Sequence, residues 1–337
     1  LDYKVPDWGG TTVLVMASSI TEDPVTPEVE KVIQRVKDSR SKLGTERGKQ
    51  AAASFQPKPS DVFISSTPKS GTTWMTQICH QLRTGGDMDF GEITEVVPFL
   101  ECAADLGLNC DDKQRAEPRL YKTHFLEASC PKGGKYITTV RHPYDVAASA
   151  YTFLCGWLFE EDELGPNNLL QQITFKSPLP QVVTPANAGS TTLFDHYMGW
   201  WPRRHDSDVL FVFYEDMKED LEREVKRVAE FIGVDDASAV EIALKRSRFD
   251  YMFQHREQFN DNLVKKKRNV DMGLSPSAGM QHGKVQTAGG KQHLLNDTTR
   301  ALLDAAWTRM CLPVTGATDY EEWRRMWRKE QDSAASR

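Results

Sequence analysis

Apolar and polar positions along this chain fall into two kinds of block. Three short runs, Asp61-Val-Phe-Ile-Ser-Ser66, Tyr136-Ile-Thr-Thr-Val140 and Val209-Leu-Phe-Val-Phe213, have the length and the side chains of buried strands. A turn and a stretch of helical period follow each of them. After the first, Trp74, Ile78 and Leu82 recur four apart and Gly85-Gly86 closes the segment. After the second, Arg141-His-Pro-Tyr leads into a helix from Asp145 through Leu154. After the third, a helix is predicted from about Lys218 to Ile232, stopped by Gly233. Strands separated by helices predict an α/β fold, a parallel sheet with helices on both faces. Ligands of such sheets sit at the carboxyl ends of the strands, where each unit places its polar residues.

The flanking regions read differently. Thr26-Pro-Glu28 is a helix start, and Val29, Val32, Ile33 and Val36 then line one apolar face. Gln56-Pro-Lys-Pro-Ser60 ends that lead-in, so residues 1–55 are predicted as an extension with an amphipathic helix and residues 56–337 as a single domain. Residues 160–192, with four prolines and little pattern, are expected to form a loop or insertion. The segment from Lys265-Lys-Lys-Arg268 to Gly290 is also expected in a loop. Trp323 and Trp327 stand at i, i+4 as packing residues of a charged C-terminal helix.

Composition narrows the choice of function. Of 337 residues, 42 are Lys or Arg and 48 are Asp or Glu, a net charge of −6, which argues against a nonspecific nucleic-acid binder. No apolar run approaches the roughly 18–20 residues that span a bilayer. The six cysteines form no C-x-x-C pair and no regular spacing, which fits reduced thiols in a cytoplasmic protein better than a zinc site or disulfide framework. The chain begins at Leu1 without a methionine, which leaves room for a lost targeting segment.

Thr67-Pro-Lys-Ser-Gly-Thr-Thr-Trp74 joins the first strand to its helix. A turn of this kind points backbone N–H groups and hydroxyls at one spot, and the helix dipole adds positive potential, so an anion is its natural occupant. It is not the pattern G-x-x-x-x-G-K-[ST], because Lys69 precedes Gly71 and the earlier glycine is missing. In Pro118-Arg-Leu-Tyr-Lys-Thr-His124, a base and a cation two residues apart would share a strand face and could then converge on one acceptor. Arg141 at a strand end and Ser149 on the next helix together suit a phosphate. Glu215 and Asp216 are read as helix caps rather than catalytic acids.

These segments, in this order, resemble the cytosolic sulfotransferase family, which uses 3′-phosphoadenosine 5′-phosphosulfate (PAPS). Thr67–Trp74 resembles its 5′-phosphosulfate loop, Pro118–His124 its P-R-L-x-K-T-H, and Val140–Ser149 its V-R-N-x-x-D-V-x-x-S. Phe213–Met217 is similar to F-Y-E-D-M and Ser247–Met252 to [TS]-S-F-x-x-M. The resemblance covers residues 55–295. It implies a P-loop-like sheet and transfer of a sulfuryl group from PAPS to a hydroxyl or amine of a small molecule, with no metal. The implied catalytic residues are His124 as base, Lys69 at the leaving phosphate and Lys122 at the sulfonate. The implied cofactor contacts are Lys69, Ser70, Gly71, Thr72, Thr73 and Trp74 in the loop, Arg141 and Ser149 at the 3′-phosphate, and Tyr214, Ser247, Phe249 and Met252 around adenine, with Trp74 and Phe249 as its two faces. The family's final glycine loop carries R-x-G, whereas this chain has Gln281, His282, Gly283 and Lys284, and Lys284 is expected to supply the missing charge.

The family's dimer segment would fall on Lys291 to Arg300 and is not matched, which leaves monomer and dimer open. No nucleic-acid or membrane partner is expected. Phe153, Trp157, Phe159 and Phe194 suit either an acceptor pocket or the core, and the acidic run Glu160–Glu163 either its mouth or a solvated loop. A nucleoside-triphosphate phosphotransferase and a non-catalytic nucleotide-binding protein are the alternatives. The misplaced lysine counts against the first, and the retained His124 against the second. An unperturbed imidazole at His124 would put the acid limb of activity at roughly pH 6–7.

Overall fold

The computed structural model describes residues 44–158, 193–278 and 297–335, with residues 34, 38, 41, 42, 284, 285, 292 and 295 besides. Most of the helix predicted after Thr26, the 160–192 segment and residues 281–283 lie outside the described residues.

Four strands, β1 (Val62–Ser66), β2 (Leu120–Thr123), β3 (Lys135–Val140) and β4 (Val209–Phe213), form one sheet in the order β2-β1-β3-β4. Every pairing is parallel, as strand–helix alternation requires. Side chains alternate across the sheet, and the sequence exploits this by putting a different chemistry on each face. Phe63, Tyr121, Tyr136, Phe211 and Phe213 point to one side, where they meet Trp200, Trp201, Trp323 and Trp327. Phe63 stacks on both register partners, Tyr121 at 5.4 Å and Tyr136 at 5.6 Å. Val62, Ile64, Leu120, Ile137 and Val212 point to the other side. There they pack on Met75, Ile78 and Leu82 of the helix Thr72–Thr84 and on Val225 and Val228 of the helix Leu221–Ile232. The sheet is therefore covered on both faces, and Trp323 and Trp327 pack as predicted from their spacing.

Two expectations are corrected. The helix expected from Lys218 begins at Tyr214, directly after β4, and breaks into Tyr214–Glu219 and Leu221–Ile232. Asp220 causes the break, since its side chain accepts from Arg223 N at 3.0 Å and caps the second piece. The lysine tract expected in a loop lies instead on a helix, Asn262–Asp271. Its buried face is Val264, Lys265, Arg268 and Asn269, a helical spacing concealed by charged side chains. Among the described residues no helix is long and apolar enough to cross a membrane, and no group of three His, Cys, Asp or Glu side chains could hold a metal ion.

Buried ion pairs fix the ends of the frame. Glu215 accepts from His142 N at 3.0 Å and from the Tyr320 hydroxyl at 2.5 Å, and Asp216 takes Arg324 and Arg328, so both acids tie the C-terminal helix to the sheet. At the opposite edge, Arg119 clamps Asp61 with two bonds of 2.8 and 2.6 Å just before β2 and β1 begin. Both partners are fully enclosed, so losing one strands the other charge. Asp61→Ala should therefore cost about 3–5 kcal/mol of stability. Urea unfolding followed by circular dichroism measures it, and a loss below about 1 kcal/mol would show the pair to be dispensable.

Candidate active site

The loop after β1 is shaped by two left-handed residues, Lys69 (φ 72°) and Gly71 (φ 99°). Gly71 is the N-cap of the helix Thr72–Thr84, and it offers no side chain to cap that helix's first amides. Nearby hydroxyls are engaged with one another, Ser66 with Thr72 and Thr67 with Ser70, each at 2.5 Å. The opening amides of the helix, from Thr72, Thr73 and Trp74, are thus left to an external acceptor. A Cβ on Gly71 would come within 2.7 Å of Tyr214 Cδ2, so the ring seals the loop from behind.

The carboxyl edge of the sheet brings the other predicted residues to this loop. Arg141, just past β3, donates to Lys69 O at 3.0 Å, and its guanidinium lies 4.3 Å from the centre of the Tyr214 ring. Its backbone is held by the buried Tyr197 hydroxyl, which donates to Arg141 O at 2.5 Å. Ser149 is half-buried in the second turn of the helix Pro143–Leu158. Trp74 Nε1 donates to Ser247 O at 2.7 Å, which ties the loop helix to the Ser247–Met252 segment. Phe249 is 44% exposed and stacks on Phe253, whereas Met252 is in the core. Trp74 meets Tyr214 edge-on at 5.5 Å. Trp74 and Tyr214 flank one side of the loop, and Phe249 keeps an open face. Phe194, a pocket candidate, packs on Tyr197 and Trp307 in the core.

His124 lies one residue past β2. Its Nδ1 is 2.6 Å from Ser66 O. A carbonyl oxygen only accepts, so Nδ1 carries the proton and Nε2 keeps its lone pair. Glu101 Oε1 accepts from His124 N at 2.6 Å and from the Thr123 hydroxyl at 2.9 Å, fixing the turn. Burial, and then the positive charge of Lys122, pull the His124 pKa down to about 3.

Lys122 Nζ is 3.0 Å from each oxygen of Asp261 and 4.4 Å above the Phe99 ring. Phe99 also touches His124, at 5.1 Å, so base and cation share one wall. Lys284 Nζ binds Asp261 Oδ2, and its backbone N donates to Asn260 Oδ1 at 2.9 Å. Lys69 Nζ and Lys284 Nζ flank Phe153, at 4.2 and 5.8 Å from its centre. Burial, followed by the charges of Lys284 and Arg141, lowers the Lys69 pKa well below its ordinary value.

The reading of the sequence missed Asp261, Glu92 and Asn260. Asp261 has φ 54°, a region that Asp and Asn enter more readily than most residues, and that tolerance was the one local signal. Its partner Lys122 is 139 residues away.

The comparisons with known proteins converge on one family. The family model for the sulfotransferase domain matches residues 59–310. The chain belongs to the sulfotransferase family. It is 35% identical to sulfotransferase 1E1 of Cavia porcellus over 190 residues, which are 53% of this chain and 60% of that protein. It thus spans less than two thirds of that relative. With sulfotransferase 1B1 of Canis lupus familiaris it is 32% identical over 246 residues, 68% of this chain and 74% of the relative. Two solved structures share the fold. Mouse sulfotransferase SULT7A1 complexed with PAP has a TM-score of 0.54 at 19% identity, with 86% of this chain and 95% of that chain covered. Retinol dehydratase in complex with androsterone and PAP has a TM-score of 0.53 at 18% identity, with 79% and 85% covered.

The loop geometry has a direct consequence. In Gly71→Ala the left-handed backbone alone costs about 1–2 kcal/mol, and displacement of Tyr214 adds to it. Affinity for adenosine 3′,5′-bisphosphate should fall by about tenfold or more in calorimetry, with helix content unchanged. Parental affinity would mean that the amide cradle does not hold the anion.

Proposed function

We propose that the protein transfers the sulfuryl group of PAPS to a hydroxyl or amine of a small molecule, in the reducing cytoplasm. The observation that carries this reading is the meeting of a neutral imidazole of fixed tautomer with Lys69 and Lys122 at an uncapped helix N-terminus. Pure nucleotide binding has no use for such a base. Both solved neighbours hold PAP, the nucleotide left after transfer, and the residues of this chain suit the same group. The loop amides and Lys69 would hold the 5′-phosphate, Arg141 and Ser149 the 3′-phosphate, and Trp74, Tyr214 and Phe249 the adenine. The described cysteines are free thiols, which fits a reducing compartment.

PAPS supplies a sulfuryl group on a phosphate leaving group. The remaining work is positioning and charge compensation by the protein. Lys122 faces the sulfonate and Lys69 the oxygen that leaves. His124 Nε2 takes the proton of the acceptor as its oxygen or nitrogen bonds to sulfur. The ring stays oriented because Nδ1 remains bonded to Ser66 O.

Incubation with labelled PAPS and a panel of phenols, alcohols and amines tests the activity. His124→Ala should lower kcat by about 100-fold or more while bisphosphate affinity stays nearly unchanged. Equal turnover by the variant would remove His124 from the mechanism, and label transfer from ATP in place of PAPS would sink the reading as a whole.

The pH course is a separate prediction. A base works when neutral, so activity is lost as pH falls through its pKa. With that pKa near 3, the His124 limb should lie well below the roughly pH 6–7 expected of an unperturbed imidazole. A pH–kcat profile that bends near 6.5 would show that burial does not depress this histidine.

A further inference from the structure

Asp261 is 7% exposed, sits at a left-handed residue just before the helix Asn262–Asp271, and faces two ammonium groups at once. Its neighbour Asn260 holds the Lys284 backbone, so the two residues together fix where Lys284 enters the site. Lys122 is enclosed between this carboxylate and the Phe99 ring. Lys69, Lys122 and His124 each take a part in the proposed transfer, whereas Asp261 takes none.

We propose that Asp261 is a positioning residue of the transfer site, a built-in counter-anion that holds Lys122 and Lys284 side by side and turned inward toward Lys69, so that the positive charge meeting the sulfonate is assembled in advance. The inference rests on the PAPS reading.

Three lysines and Arg141 crowd this edge of the sheet, and two adjacent ammonium groups in a buried site repel strongly. An anion between them removes that repulsion and aims both at one point. Glu92 is a second acid facing the cluster, and Glu101, whose pKa burial raises to about 7, lies near Lys122 from the His124 side. Glu92 is 2% exposed, its Oε1 lacks a hydrogen-bond partner, and burial followed by the charge of Asp261 pushes its pKa up to about 8, so near neutrality it is largely uncharged. Asp261 is therefore the fully ionised carboxylate among these groups, and the Lys122 and Lys284 charges hold it so. The groups around Lys284 are Asp261, Lys122 on β2, Lys69 in the loop and Glu92 in the turn before Ile93, and Arg141 past β3 and His124 past β2 line the same edge. Burial lowers the Lys284 pKa to about 8 even with Asp261 in place.

Adenosine 3′,5′-bisphosphate prefers charged lysines, so affinity is lost as pH rises through the lysine pKa. Removing the counter-anion lowers that pKa by about 1–3 units. Asn tolerates the left-handed backbone as Asp does, so Asp261→Asn removes the charge and leaves the chain path intact. Calorimetry of bisphosphate binding between about pH 6 and about pH 9 is the measurement. In the parent, affinity should hold through neutrality and fall above about pH 8, where Lys284 loses its proton.

In Asp261→Asn the fall should start about 1–3 units lower, with affinity equal to or above the parent's at the acid end, where one anion has been removed. Asp261→Glu, which keeps the charge but lengthens the side chain, should retain the parental pH course and lower kcat. That variant carries the test if the Asn variant does not fold. Curves for Asp261→Asn that match the parent, or that lie below it by one constant factor at every pH, overturn the proposal and leave Asp261 a structural residue. A shifted course in Asp261→Glu overturns it as well. Failure of the parent to bind the bisphosphate at any pH overturns the PAPS reading itself, and this inference with it.

Discussion

Four cations, Lys69, Lys122, Lys284 and Arg141, converge at one edge of a sheet, and the cost of holding like charges together shapes everything around them. Two unit charges about 5 Å apart repel by about 3 kcal/mol at an effective dielectric of 20. The protein offsets this in two ways. Each cation lies over an aromatic face: Lys69 and Lys284 over Phe153, Lys122 over Phe99, Arg141 over Tyr214. Asp261 then neutralises two of them directly. The rings serve a second purpose, because apolar walls exclude water and so strengthen every charge that remains.

This convergence depends on a rigid frame. β1 runs between β2 and β3 in parallel register, so Ser66, Thr123 and Val140 end near one another and the residues that follow them meet. Ser66 contributes twice, its carbonyl orienting His124 and its hydroxyl engaging Thr72. Outside the sheet, Glu215 holds the Arg141–His142 turn from one side, and Trp74 anchors the Ser247 segment from the other. A shift of any one strand would separate base, loop and phosphate-binding arginine together.

Local order made much of this legible in the sequence. The strand–turn–helix units, the glycine at Gly71, and the base and cation two apart at Lys122 and His124 are written within a few residues of each other, where period and spacing report geometry. What escaped was non-local or disguised. Asp261 acts through a partner 139 residues away, and nothing in Phe259-Asn-Asp-Asn262 announces that contact. The helix Asn262–Asp271 was disguised by Lys265 and Arg268, charged residues on its buried face. Asp220 broke a helix that apolar periodicity alone would carry through, because its side chain competes for the backbone. Depression of the His124 pKa depends on enclosure and on neighbouring charge, neither of which spacing records.

One arrangement thus sets two opposite protonation demands. Sulfuryl transfer asks the lysines to be charged and the histidine to be neutral, in the same enclosed site. Burial alone lowers the pKa of both kinds of residue, as it does at Lys69 and His124. The difference lies in partners. Asp261 sits against Lys122 and Lys284 and draws protons to them, raising the Lys122 pKa despite burial. His124 has a carbonyl at Nδ1 in place of a carboxylate, and a carbonyl orients an imidazole without charging it. The positive charge retained on Lys122 then holds the neighbouring ring neutral. An acidic partner at Nδ1 would reverse this, favouring the imidazolium and removing the lone pair that a base requires. Separation of charged lysines from a neutral base is therefore a matter of which oxygen each one meets, a carboxylate at Asp261 or a peptide carbonyl at Ser66.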